Sequence, residues 1–261
     1  MAEEKLGVRL KWLGCACFEM DFGGLTVVND PWITDNPATG LTWEAVERCD
    51  YITVSHGHYD HITDIPALVK KFDPRMLAGE QTAVALMRYA DMVPMRMLPM
   101  YPNMELDFEG VRIRALYGRH SMVPESASVR EAMWLTHGQT KNSPVLQELA
   151  KWGDFEYRNY LYTMPNGTTV LFWGNTVDLP ELRGILLQTR PDIAIVQATR
   201  KSPPDLVAHL CLEMGCRIVM PHHIDFPRDN SAWGEELGRQ LRLQAPHIRY
   251  ITPTYGEWMD L

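Results

Sequence analysis

His56-Gly57-His58-Tyr59-Asp60-His61 is the segment that decides how the rest of this 261-residue chain reads. The chain holds only 9 histidines, and chance placement of the four fixed positions occurs in about 6 of 10,000 such sequences, so the spacing is a signal. Neutral imidazole and carboxylate are the donors that borderline divalent metals prefer. Alternate residues of a loop can face different sides, so His56, His58, Asp60 and His61 can serve two adjacent sites. The loop cannot complete a four- or five-coordinate metal by itself, and histidines or carboxylates from distant strand ends must join it.

Working outward, the apolar run Tyr51-Ile52-Thr53-Val54 suits a buried strand before the loop, and Asp64-Ile65-Pro66 opens a helix after it, to about Phe72. Upstream, apolar residues alternate over 8–13, continue over 17–20 and resume over 25–28 after Phe22-Gly23-Gly24, which predicts a β-meander with a glycine turn. Downstream, the spacing predicts a helix over 81–90 and short strands over 95–98 and 111–116. The second half repeats the style. Strands over 159–164 and 168–173 flank Pro165-Asn166-Gly167, then helices over 180–188, 204–214 and 231–243 alternate with strands over 192–196, 217–220 and 249–252. A meander followed by βα alternation, twice over, predicts an α/β fold of two sheets packed face to face with helices outside.

One domain over 1–261 is expected, with an insertion at about 121–158. That stretch has weak helical patterns over 129–136 and 144–152 and carries Trp134, Trp152, Phe155 and Tyr157. It reads as a lid over a site, with a surface excursion or oligomer contact as the other reading.

Candidate ligands beyond the hexapeptide follow from strand ends. His120 comes after the strand over 111–116, and His222 and His223 come after the strand over 217–220 through Pro221; one of that pair is expected to bind metal.

With these residues in place the chain resembles the metallo-β-lactamase fold superfamily, over nearly its whole length. His56, His58, Asp60 and His61 match its His-x-His-x-Asp-His loop, and His120 matches its later single histidine. Leu13-Gly14-Cys15-Ala16 and Asn29-Asp30-Pro31 are similar to its Gly-His-Ala and Thr-Asp-Pro segments. Pro221-His222-His223 is similar to a Pro-x-His ending in the branch that includes ascorbate-6-phosphate lactonase, which favours His223 with His222 as the alternate. The resemblance implies a four-layer αββα sandwich with an inserted lid. It also implies one metal on His56, His58 and His120, and a second on Asp60, His61 and His223. Asp60 would orient the attacking water, and Asp30 would orient the histidine loop from behind. Zinc is the expected metal, with manganese or iron as alternatives.

One position departs from the family. Where it has a bridging aspartate in Gly-Asp-Thr, this chain has Gly174-Asn175-Thr176. A neutral amide leaves one more positive charge uncompensated between two dications, so one tight and one weak site are expected. Asp178 could replace the bridge after a loop shift, Asn175 could bind through its carbonyl, or Asn175 could only hydrogen-bond.

Composition narrows the function classes. Lys+Arg number 25 against 33 Asp+Glu, a net charge of −8, which disfavours a partner such as a nucleic-acid polymer. No apolar run is long enough for a membrane span, and Met1-Ala2-Glu3-Glu4-Lys5 is unlike a secretory leader, so a cytoplasmic protein is expected. Cys15, Cys17, Cys49, Cys211 and Cys216 are scattered and read as small core residues. Arg119, Lys141, Arg200, Lys201 and Arg228 are candidates to hold a phosphate or carboxylate. The expected function is metal-dependent hydrolysis of a small lactone or ester, an anionic one included. A phosphodiesterase on a small phosphoester or nucleotide is the first alternative, and a non-catalytic metal-binding protein the second. The expected partner is a small-molecule substrate, and a homo-oligomer is compatible with the sequence.

Overall fold

Val27 and Val28 show how the layers arise. Neighbours in a strand point to opposite faces, and both valines are fully buried, one in each of two separate apolar clusters. A sheet whose two faces are both covered has partners on each side. In this computed structural model, which describes residues 5–119, 143–177, 179–199, 201–226 and 229–261, those partners are a second sheet and a layer of helices.

The first sheet runs β14-β1-β2-β3-β4-β5-β6, with β1 (Arg9–Gly14), β2 (Cys17–Asp21), β3 (Thr26–Asn29), β4 (Tyr51–Thr53), β5 (Arg75–Gly79), β6 (Met97–Met100) and β14 (Trp258–Asp260). β1 to β3 pair antiparallel, and β3 to β6 pair parallel. The second sheet runs β13-β12-β11-β10-β9-β8-β7, with β7 (Glu105–Phe108), β8 (Val111–Gly118), β9 (Tyr157–Thr163), β10 (Thr169–Trp173), β11 (Ile193–Gln197), β12 (Ile218–His222) and β13 (Arg249–Tyr250). It repeats the pattern: antiparallel from β7 to β10, parallel from β10 to β13.

Helices α1 (Ile65–Phe72), α2 (Glu80–Ala90) and α3 (Pro144–Phe155) cover the first sheet, where Leu68, Leu86 and Leu149 share a cluster with Ile52 and Met76. Helices α4 (Pro180–Leu187), α5 (Pro204–Met214) and α6 (Ser231–Gln244) cover the second through Leu182, Val207 and Leu237. The result is the expected four-layer αββα sandwich.

Several buried polar groups within and between the layers are paired. Tyr160 Oη donates to the Val54 and Leu77 carbonyls at 2.8 and 3.2 Å, and Tyr162 Oη lies 2.7 Å from Thr53 Oγ1. Lys11 Nζ and Glu19 Oε2, both buried, are 2.7 Å apart, and the Glu47 and Arg48 amides satisfy the remaining Glu19 capacity. β5, β7 and β14 were not expected. β5 draws its order from β4 and β6 on either side, while β7 and β14 are short and lie at or next to sheet edges, where alternation over three or four residues carries little signal.

Candidate metal centre

Of the donors expected from the sequence, those among the described residues gather where strands of both sheets end. Asp30 follows β3, the segment from Ser55 to His61 follows β4, Asn175 follows β10, and His222 and His223 close β12. Cys15 lies in the turn between β1 and β2. Three of these residues, Cys15, Asp30 and His223, have φ of +47°, +45° and +56°, a left-handed backbone that side chains seldom adopt. Backbone bonds hold them there: Asp30 N donates to the Thr53 carbonyl at 2.9 Å and His223 N to the Cys15 carbonyl at 3.1 Å.

Asp30, fully buried, organises the histidine loop. Its Oδ1 accepts the Ser55 amide at 2.6 Å, and its Oδ2 accepts Ser55 Oγ at 2.6 Å and His61 Nδ1 at 2.9 Å. The Ser55 hydroxyl proton being committed to Asp30, Ser55 Oγ accepts from His56 Nδ1 at 2.9 Å. Both His56 and His61 therefore carry the Nδ1 proton, which leaves Nε2 as the nitrogen a metal would take. His56 Nε2 lies 3.0 Å from His58 Nδ1, and His61 Nε2 lies 3.7 Å from Asp60 Oδ2. Burial alone would lower the His61 pKa, but Asp60 and Asp30 outweigh it and hold it above the usual histidine value.

The His222/His223 pair resolves by the same reasoning. His222 is fully buried, its Nε2 donates to the Trp173 carbonyl at 2.9 Å, and burial pushes its pKa down to about 4, so it is neutral. Its Nδ1 then accepts from His223 Nδ1 at 2.7 Å. His223 Nε2 is left as a lone pair, 4.0 Å from Asp60 Oδ2 and 3.4 Å from Cys15 Sγ. His223 thus faces the Asp60 carboxylate, and His222 stands behind it.

His120, Asp178, Lys141, Arg200, Arg228 and residues 121–142 of the expected insertion lie outside the described residues. The later part of that insertion is α3, and Tyr157 and Arg158 already belong to β9. α3 packs onto the histidine loop through two glycines. A Cβ at Gly153 would come 2.6 Å from His58 Cδ2, and one at Gly57 would meet the Leu149 carbonyl. Arg119 pairs at the surface with Glu181 at 3.4 Å.

Asn175 is engaged at both ends. Asn159 Oδ1 accepts the Gly174 amide at 3.0 Å, which turns Asn159 Nδ2 toward Asn175 Oδ1 at 2.7 Å. That fixes Asn175 Nδ2 as the donor to the Arg119 carbonyl at 2.6 Å. Asn175→Asp would put a carboxylate oxygen against that carbonyl while adding a negative charge to the site. Two opposite outcomes are expected from one variant. Without metal, thermal unfolding shows a loss of about 1–3 kcal/mol for the broken buried bond; calorimetric titration of metal shows second-site occupancy rising above that of the native chain. Two equally tight sites in the native chain would mean that another carboxylate supplies the bridge.

Four contributors were missed in the sequence: Cys15, Ser55, Asn159 and Asp225, the last accepting the Cys15 amide at 2.9 Å. Burial pushes the Cys15 thiol pKa up, with Asp60, Asp225 and Asp30 adding to the effect. Ser55 and Asp225 flank the two histidine motifs and Cys15 follows a glycine, but serine, aspartate and cysteine in turns are too common to single out.

The donor set suits a borderline divalent cation: the Nε2 atoms of His56, His61 and His223, whose Nδ1 atoms are engaged elsewhere, and Asp60 Oδ1, which is buried with no hydrogen-bond partner among the described residues. Comparison with known proteins agrees. A family model described as beta-lactamase superfamily domain matches residues 9–223. A UPF0173 metal-dependent hydrolase of Caldivirga maquilingensis is 35% identical over 258 residues, 97% of each chain. Another, of Solibacter usitatus, is 42% identical over 77 residues, 29% of this chain, and the match spans only 33% of that relative. Among solved structures, Igni18, a novel metallo hydrolase from Ignicoccus hospitalis, aligns with a TM-score of 0.68 at 16% identity over 97% of each chain, a likeness of fold.

Proposed function

The chain belongs to the beta-lactamase superfamily and, within it, to the UPF0173 metal-dependent hydrolases, and on that premise we propose that it hydrolyses a small lactone or ester. The observation that carries the reading is Asp60: a buried carboxylate with Oδ1 unpartnered among the described residues, set between His61 and His223. A divalent cation held by His56, His58 and His120, zinc ahead of manganese or iron, would supply Lewis acidity and lower the pKa of a bound water toward about 7. Asp60 accepts a hydrogen bond from the attacking water and fixes its approach. Asp30 and Ser55 keep the His56 and His61 lone pairs aimed inward. His222 does the same for His223. α3, packed on His58, forms one wall that keeps bulk water from this side of the site. The lactonase-like preference rests on the Pro221-His222-His223 ending.

The test is turnover by zinc-, manganese- and iron-loaded protein on chromogenic lactones, esters and bis-phosphodiesters, with neutral and anionic members of each. Lactone or ester turnover that falls with Asp60→Asn is expected. Turnover of phosphodiesters alone would move the assignment to a phosphodiesterase, and none on any member, with metal bound, to a non-catalytic role.

A further inference from the structure

We propose that Cys15 Sγ, Asp60 and His223 Nε2 form a cation-binding cluster in which the cysteine thiolate supplies the negative charge that Asn175 withholds. The proposal rests on the metal-dependent reading above and adds a ligand to it, at a position where the similar Gly-His-Ala segment has histidine. One donor atom from each residue lies within 4.8 Å of the others, and all three residues are buried. Cys15 Sγ is 3.4 Å from His223 Nε2.

The other cysteines are buried as well, so burial does not mark Cys15; its surroundings do. The left-handed bends at Cys15 and His223 are joined by the bond from His223 N to the Cys15 carbonyl, and Asp225 holds the Cys15 amide. Together they bring two side chains more than 200 positions apart into contact. Asp60 Oδ1 is the independent sign: a buried carboxylate oxygen with no donor among the described residues is an anionic position awaiting a positive partner.

On binding, the thiol gives its proton to solvent as the sulfur–metal bond forms. Thiolate and Asp60 carboxylate then balance one dication, with His223 neutral. Sulfur is a soft donor, so the cluster favours zinc, cobalt or iron over manganese.

Cobalt(II) tests this on the full-length, metal-stripped protein. Loaded with two equivalents, the native chain is expected to show visible ligand-field bands and a near-ultraviolet thiolate-to-cobalt charge-transfer band. Cys15→Ser and Cys15→Ala should each abolish the charge-transfer band and keep visible bands from the three-histidine site, while Cys17→Ala leaves both. Should the Cys15 variants not fold, X-ray absorption of the native zinc-loaded chain decides: sulfur at about 2.3 Å supports the cluster, and nitrogen and oxygen alone at about 2.0–2.2 Å overturn it. Cobalt bound without the charge-transfer band, or a band that survives Cys15→Ser, overturns the Cys15 proposal alone. No cobalt bound at all overturns the metal-dependent reading with it.

Discussion

Changing His56 and His58 together to alanine is expected to abolish metal retention at the three-histidine site and take hydrolysis to background. Both rings are buried, and their facing nitrogens stand 3.0 Å apart. With both gone, His120 alone would remain of that ligand set, and a single imidazole does not hold a borderline dication against solvent. The fold should survive, because the apolar contacts that seat the helices on the sheets, such as those of Leu68, Leu86 and Leu149, are left intact. Elemental analysis after dialysis and far-ultraviolet circular dichroism check the two halves of the expectation. Unchanged metal in a folded double variant would mean that the cation sits elsewhere.

How much of this was legible in the sequence differs by element. The doubled meander-then-βα order was readable because glycine turns separate alternating runs in both halves, and the strands that lead into the His loop and into Pro221-His222 are continuous apolar runs that only a doubly covered sheet accommodates. The hexapeptide was readable because its spacing is improbable. The neighbours that tune it were not. Asp64 was expected to open α1 and does precede it, yet its carboxylate accepts from Ile33, Thr34 and the Thr34 hydroxyl instead of capping the helix. For Asn175 three roles stood open, with Asp178 replacing the bridge, Asn175 binding through its carbonyl, or Asn175 only hydrogen-bonding, and its amide is committed to Asn159 and the Arg119 carbonyl. Cys15 was read as a small core residue. It is buried as expected, but its contact with His223 depends on two left-handed bends at opposite ends of the chain. Such bends leave no compositional trace when the residues that adopt them are not glycine.

The second large effect is expected from Asp30→Asn, a change of one atom in a fully buried side chain behind the histidine loop. Asp30 accepts three hydrogen bonds, and the two on Oδ2 come from Ser55 Oγ and His61 Nδ1. Asparagine keeps the shape, but with its carbonyl oxygen retained for the Ser55 amide the amino group faces His61 Nδ1. Two donors cannot share a bond, so His61 must give up its Nδ1 proton and carry one on Nε2. The lone pair that faces Asp60 is then lost. Ser55 also loses its acceptor and turns, which frees His56 Nδ1 from the bond that fixes its tautomer. Removal of such outer partners elsewhere costs about 10–100-fold in metal affinity or activity, and here one residue serves two imidazoles, so the upper end is expected. Competition with a chelator measures affinity, and ¹⁵N shifts of the imidazole rings report the tautomer. A tenfold or greater loss of affinity with His61 switched to the Nε2-protonated form supports the relay from Asp30. Native affinity with the tautomers unchanged would mean that the loop geometry, not Asp30, orients the histidines.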